Sequence, residues 1–190
     1  MILTLGMAHP RTLIRQAVVA QLLSVTAAGA RVYDSKISPA RKGDLPGIVV
    51  YTPSEAVDVD TERSPRELER SCDLKIAGLV RGADEAEVSL AMDDLALQIE
   101  TAMDSDPYLN GAAGDSVLAG TDTEIGVDNG RSDPLVGIVE LTYAVTYRTT
   151  PAEPTAADDF LTVDAKQKVV GGVSDTVQIE DQFTVQEIAP

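Results

Sequence analysis

The sequence has no tryptophan, one histidine (His9), one cysteine (Cys72) and two phenylalanines in 190 residues. A single cysteine closes no intrachain disulfide, so the composition fits a reducing compartment. One imidazole leaves a serine or cysteine nucleophile with almost no choice of base. No apolar run approaches the roughly 20 residues of a membrane-spanning helix. No glycine-rich phosphate loop, zinc-ligand spacing or H-E-x-x-H pattern is found, so neither cofactor nor metal is expected. Basic residues are also scarce: 15 Lys and Arg face 31 Asp and Glu, for a net charge of −16. That balance argues against general nucleic-acid binding, which neutralises phosphates with Lys and Arg.

What is present is a globular composition, 44% hydrophobic and 24% charged. The length suits one domain of about 150 residues with an appendage. Charge is unevenly divided: residues 1–81 carry 11 basic and 9 acidic side chains, and residues 82–190 carry 4 and 22. A solvated acidic surface accounts for this without any function. The sharper reading is a protomer with one strongly acidic side, whose copies pack head to tail into a ring or filament.

Pro10 to Ala28 reads as a helix with Leu13, Ala17, Ala20, Leu23 and Ala27 at helical spacing and Gly29 as its stop. Arg11 and Arg15 before the apolar Ala17–Ala30 stretch also admit a signal peptide, against which stand Gln16, Gln21 and the ten residues ahead of the arginines. A short strand, Arg31–Asp34, leads into a polar loop, Ser35 to Pro46, with Lys36, Arg41 and Lys42. Gly47–Thr52 reads as a buried strand closed by Pro53, and Pro53 to Arg70 as a polar loop. Ser71 to Arg81 alternates, with Cys72, Leu74, Ile76 and Val80 on its apolar face. A second helix follows from Asp84 to Met103, with a stripe of Val88, Met92, Leu95, Ile99 and Met103 that Leu90 and Leu97 widen. Val117 to Val127 is extended, Asp128-Asn129-Gly130 signals a turn, and Val139, Leu141, Tyr143, Val145 and Tyr147 line the strongest strand.

The expectation is an α+β fold: a mixed, mostly antiparallel sheet packed by two helices over residues 1–150, with a linker and β-rich extension over 151–190. The extension has short β-like pieces at 160–163, 168–170, 176–179 and 183–188, with Gly171-Gly172 as a turn. Forty such residues make a poor core, so their strands are expected to pair with the main sheet or a neighbouring copy.

Three groups could carry chemistry. Asp58, Asp60 and Glu62, with Ser64 and Glu69, echo a calcium loop, but Arg63 stands where that loop needs glycine, Arg66 at a ligand position, and Pro65 intervenes. A small metal-dependent hydrolase built on these carboxylates is the alternative from another class. Cys72 reads as an inert core thiol, and Asp93-Asp94 as solvated helix face. Arg31, Lys36, Arg41, Lys42, Arg63, Arg66, Arg70 and Arg81 form either a basic patch or ordinary surface charge.

The order of elements resembles the tail terminator proteins of long-tailed bacteriophages: a first helix, Arg31-Val-Tyr-Asp34, a basic loop, Leu45-Pro46-Gly47-Ile-Val-Val-Tyr51, Leu74-Lys-Ile-Ala-Gly-Leu-Val80, the acidic helix, then the long Gly137–Tyr147 strand. The resemblance spans about residues 1–150 as judged from element order, and residues 151–190 depart from the family's compact pattern. It implies a non-enzymatic virion protein of the tail or neck, assembled in the host cytoplasm as a ring, commonly a hexamer. Such a ring seats on the tail tube protein, ends tube polymerisation and receives the head-completion proteins, while DNA passes its lumen without specific binding. By the same analogy Lys36, Arg41, Lys42, Asp58, Asp60, Glu62, Arg63 and Arg66 are candidate ring or tube contacts. Another neck, connector or tail-tube protein is the nearest alternative.

Overall fold

The structure is a computed structural model describing residues 8–35, 45–60, 67–126, 135–151, 163–167 and 179–183. The chain divides into two units, Met1–Pro151 and Ala152–Pro190. The first has helix α1 (Pro10–Leu22) and strands β1 (Val32–Asp34), β2 (Gly47–Asp60) and β3 (Glu67–Gly82). Helix α2 (Glu85–Ser105), β4 (Asp115–Gly126) and β5 (Leu135–Thr149) follow. The strands form one sheet in the order β1-β2-β3-β5-β4, parallel only between β1 and β2. The α+β class and the mixed, mostly antiparallel sheet are those expected from the sequence.

Both helices pack on one face of the sheet, α1 over β1 and β2, α2 over β3 and β5. The alternation of β3 and β5 dictates this. Cys72, Leu74, Ile76 and Val80 stand beside Val145, Tyr143, Leu141 and Gly137 in register, and all eight residues are buried. Onto them α2 lowers Val88, Met92, Leu95, Ile99 and Met103. Each such side chain contributes about 1.5–3 kcal/mol when fully buried. Glycine sets how close the helix comes: a Cβ on Gly137 would lie 2.5 Å from Val88 Cγ1, one on Gly78 2.7 Å from Leu95 Cδ2, and one on Gly82 2.9 Å from the Val88 backbone nitrogen.

Asp84 caps α2 by accepting from the Glu87 N–H at 2.8 Å, and Glu87 reaches back to the Ala83 N–H at 2.7 Å. This reciprocal arrangement satisfies donors that a helix N-terminus leaves free.

Four details differ from the sequence reading. Helix α1 ends at Leu22 rather than Ala28, because Leu23 is extended and Ser24 takes a left-handed φ of 63°. Ser24, Val25 and Thr26 are weak helix formers, and tertiary hydrogen bonds fix the turn: Gln21 donates to Ala102 O at 2.6 Å and Ala27 N–H to Gln98 at 2.6 Å. Its buried stripe is Ile14, Val18 and Leu22, while Leu13 and Leu23 are exposed. Within the apolar stretch Ala17–Ala30, Val18, Leu22 and Ala28 are buried in the core.

Strand β2 does not stop at Pro53. A register shift between Tyr51 and Ser54 places Thr52 and Pro53 in a bulge, where proline's missing donor costs no ladder bond, and the strand runs on to Asp60. Residues 53–60 and 67–70 are therefore strand, not loop. Leu90 and Leu97 do not widen the core stripe; they are 63% and 64% exposed on the outer side of α2.

In the second unit, β6 (Val163–Gln167) and β7 (Ile179–Phe183) pair antiparallel with each other. The Gly171-Gly172 turn and the Asp128-Asn129-Gly130 turn lie outside the described residues.

Candidate functional site

The residues singled out by sequence separate quickly. Lys36, Arg41, Lys42, Glu62, Arg63 and Arg66 lie outside the described residues. Asp58 is exposed on β2 opposite Glu69, and Asp60 is opposite Glu67 in the register. Among the described residues no group of three or more His, Cys, Asp or Glu side chains is arranged to hold a metal ion.

His9 caps α1, its Nδ1 accepting from Arg11 N–H at 3.2 Å, a structural use of the sole imidazole. Cys72 is fully buried, and burial, assisted by the nearby Glu55 charge, pushes its thiol up to about 11. Both values describe an inert thiol. Asp93 and Asp94 are exposed. Two members of the suggested basic patch serve their own surroundings: Arg31 donates to Pro46 O at 2.7 Å, and Arg70 to Glu55 at 2.9 Å and Thr149 at 2.9 Å.

Three polar clusters emerge from the packing. On the helix-covered face, Glu55 accepts from Arg70 and from the Tyr147 hydroxyl. Burial raises the Glu55 pKa, but the Tyr147 hydrogen bond and the Arg70 and Arg11 charges outweigh it and hold the carboxyl below its ordinary 4.5. At the β1 edge, Arg15 donates to Asp34 at 2.6 Å and to Thr52 at 3.0 Å. On the opposite, helix-free face, Glu140 accepts from Lys75 at 2.5 Å and from the Tyr51 hydroxyl. Burial of Tyr51 and its bond to Glu140 push that phenol up to about 12. Each carboxylate has its protons donated by fixed partners. The three tie neighbouring elements together: Glu55 joins β2 to β3 and β5, Arg15 joins α1 to β1 and β2, and Glu140 joins β5 to β3 and β2.

The sequence showed Lys75 and Glu140 on outward faces. What it lacked was the β3–β5 register that decides which outward charges meet.

The helix-free face is more apolar than a merely solvated one. Val49, Ala77, Leu79, Val136 and Ala144 are half-buried there and Ile138 is 37% exposed, around the Lys75–Glu140 pair. On the other side of the molecule, a groove of about 450 Å³ runs between the end of α1 and α2, lined by Gln21, Val25, Leu97, Thr101 and Ser105. It carries no charged side chain, and Val25 and Leu97 are its exposed apolar members.

No protein-family model matches the sequence, and no curated protein matches it. Among solved structures, the chain is similar to a chain in the structure titled "Virion of native gene transfer agent (GTA) particle", with 17% identity, a TM-score of 0.32, and coverage of 70% of this chain and 94% of that one.

Proposed function

We propose that this protein is a structural component of a phage-like virion, forming a ring at the head-proximal end of the tail tube. There it ends tube polymerisation and offers the surface that head-completion proteins join. The observation that carries this reading is the one-sided sheet: within the first unit both helices cover one face, and the other presents Val49, Ala77, Leu79, Ile138 and Ala144 outward. A half-apolar face of this kind favours contact with another protein surface over solvent. The division of charge between residues 1–81 and 82–190 supports head-to-tail packing of identical copies. The element order that resembles tail terminators supports the same role. Lumen-facing carboxylates would repel DNA and let it pass without sticking.

Electron microscopy of particles assembled without the protein tests the reading. Overlong tails are the expected result. Tails of normal length detached from heads would instead identify a connector, the reading that the β6–β7 unit favours.

A further inference from the structure

The last turns of α2 are built against their own electrostatics. A helix C-terminus is the negative end of the backbone dipole and is steadied by Lys or Arg, yet α2 has no basic residue in its last turn and carries Glu100 and Asp104 at that end. Like charges four residues apart on a helix repel each other. Residues 82–130 contain no Lys or Arg to offset them.

The two carboxylates share one flank. Gln98 and Ala102 face α1 and the turn after it, Gln98 accepting from Ala27 N–H and Ala102 O from Gln21. Glu100 and Asp104 follow them by two residues each, about 200° further round the helix, so they stand over the β5–β4 end of the sheet. On the helix-covered face of that end lies Tyr143 of β5, in register with Leu118 of β4. Tyr143 is 2% exposed, and its hydroxyl has no hydrogen-bond partner among the described residues. Buried hydroxyls ordinarily have one. Burial, and after it the charges of Glu100 and Asp104, push this phenol above its ordinary value, as carboxylates close to the hydroxyl must. Leu118, 39% exposed, is an apolar shelf beside it.

We infer that Glu100, Asp104 and the Tyr143 hydroxyl together receive the guanidinium of an arginine side chain presented by a partner protein. One group supplies what all three lack: positive charge for two carboxylates at the negative end of a helix, and an N–H for a hydroxyl without a partner. A guanidinium offers five N–H donors in a planar fork and keeps its charge throughout the range in which proteins fold. Its alkyl stem lies along Leu118. A metal ion fits less well, since among the described residues no three His, Cys, Asp or Glu side chains are grouped to hold one. The hydroxyl is closed off from solvent in the free chain, so the half-buried Glu100 side chain turns as the guanidinium enters. The inference concerns this flank alone and holds whether or not copies of the chain close into a ring.

Titration of the isotopically labelled full chain with acetyl-arginine amide, followed by NMR, tests it. Saturable amide shifts are expected around Glu100, Asp104 and Leu118. Glu100→Gln and Asp104→Asn are each expected to weaken binding about fivefold, the upper range for one exposed ion pair. Tyr143→Phe, which keeps the ring in the core, is expected to weaken it about threefold, as for one neutral hydrogen bond. Asp94→Asn, on another side of α2, is expected to leave it unchanged. Acetyl-citrulline amide, with the same shape and no charge, is expected not to bind.

Equal weakening by Asp94→Asn would overturn the inference in favour of general attraction to an acidic surface. Binding that survives both Glu100→Gln and Asp104→Asn, or no saturable binding at all, would remove the site. Spermidine binding at the same residues more tightly than the arginine probe would overturn the assignment to a side-chain guanidinium. Each of these results leaves the tail-length experiment above free to stand or fail by itself.

Discussion

Arg70 and Tyr147 stand opposite each other in the β3–β5 register and donate to the two oxygens of one carboxylate, Glu55. Because the folded-state pKa of Glu55 is depressed, its contribution to stability is complete above the ordinary 4.5 and is lost as pH falls through the folded value. Glu55→Gln is expected to lower stability by about 1.5–3 kcal/mol at pH 7, the range for hydrogen bonds to charged groups. Urea midpoints from pH 7 to pH 3 check this. The gap between wild type and variant should narrow below the ordinary 4.5, and a constant gap would contradict the assignment.

The hydroxyl of Tyr143 is buried without a hydrogen-bond partner among the described residues, and its ring lies in the core. Tyr143→Phe removes a desolvated polar atom while keeping the packing. Stability is expected to stay level or rise by about 1 kcal/mol, read from the urea midpoint. A loss of 2 kcal/mol would reveal a partner for that oxygen.

Gly137→Ala places a methyl group against Val88, whose β-branched side chain has little rotamer freedom on a helix. Overpacking of this kind costs about 1–3 kcal/mol. Gly78→Ala meets the end of the more flexible Leu95 and is expected to cost less. Thermal melts of the two variants side by side test the order.

Leu90 and Leu95 are five residues apart on α2 with opposite fates, 63% exposed against 1%. Leu95→Ala is expected to cost about 2–5 kcal/mol, and Leu90→Ser less than about 0.5 kcal/mol in the isolated chain. Equal losses in denaturant midpoint would refute the orientation of α2.

Cys72 is buried and its thiol is pushed up to about 11, so at neutral pH it should react with an aromatic disulfide reagent only as fast as the chain opens. Reaction within seconds under native conditions would place it at the surface.

The core was legible where period and burial coincide. The five-residue stripe of α2 and the alternating faces of β3 and β5 follow from spacing alone. Pro53 misled because a bulge absorbs a residue that cannot join a ladder, and register shifts are tertiary facts. Helix α1 misled because its alanine-rich continuation satisfies the helical period, yet Gln21 and Gln98 bind the chain there in a turn. The charged struts were invisible for the same reason. Lys75 and Glu140 are 65 residues apart in sequence, and only the strand register brings them together. The candidate contacts on the basic loop lie outside the described residues, so Lys36, Arg41 and Lys42 stand as proposals.

Three missing methyl groups, at positions 78, 82 and 137, govern more than how near a helix can settle. They leave room for the face of α2 that sets Val88 and Leu95 into the gaps. With that face inward, Leu90, Asp93, Asp94 and Leu97 are turned outward. What any neighbouring molecule meets on this flank is therefore chosen from beneath, by backbone hydrogens that no partner ever touches.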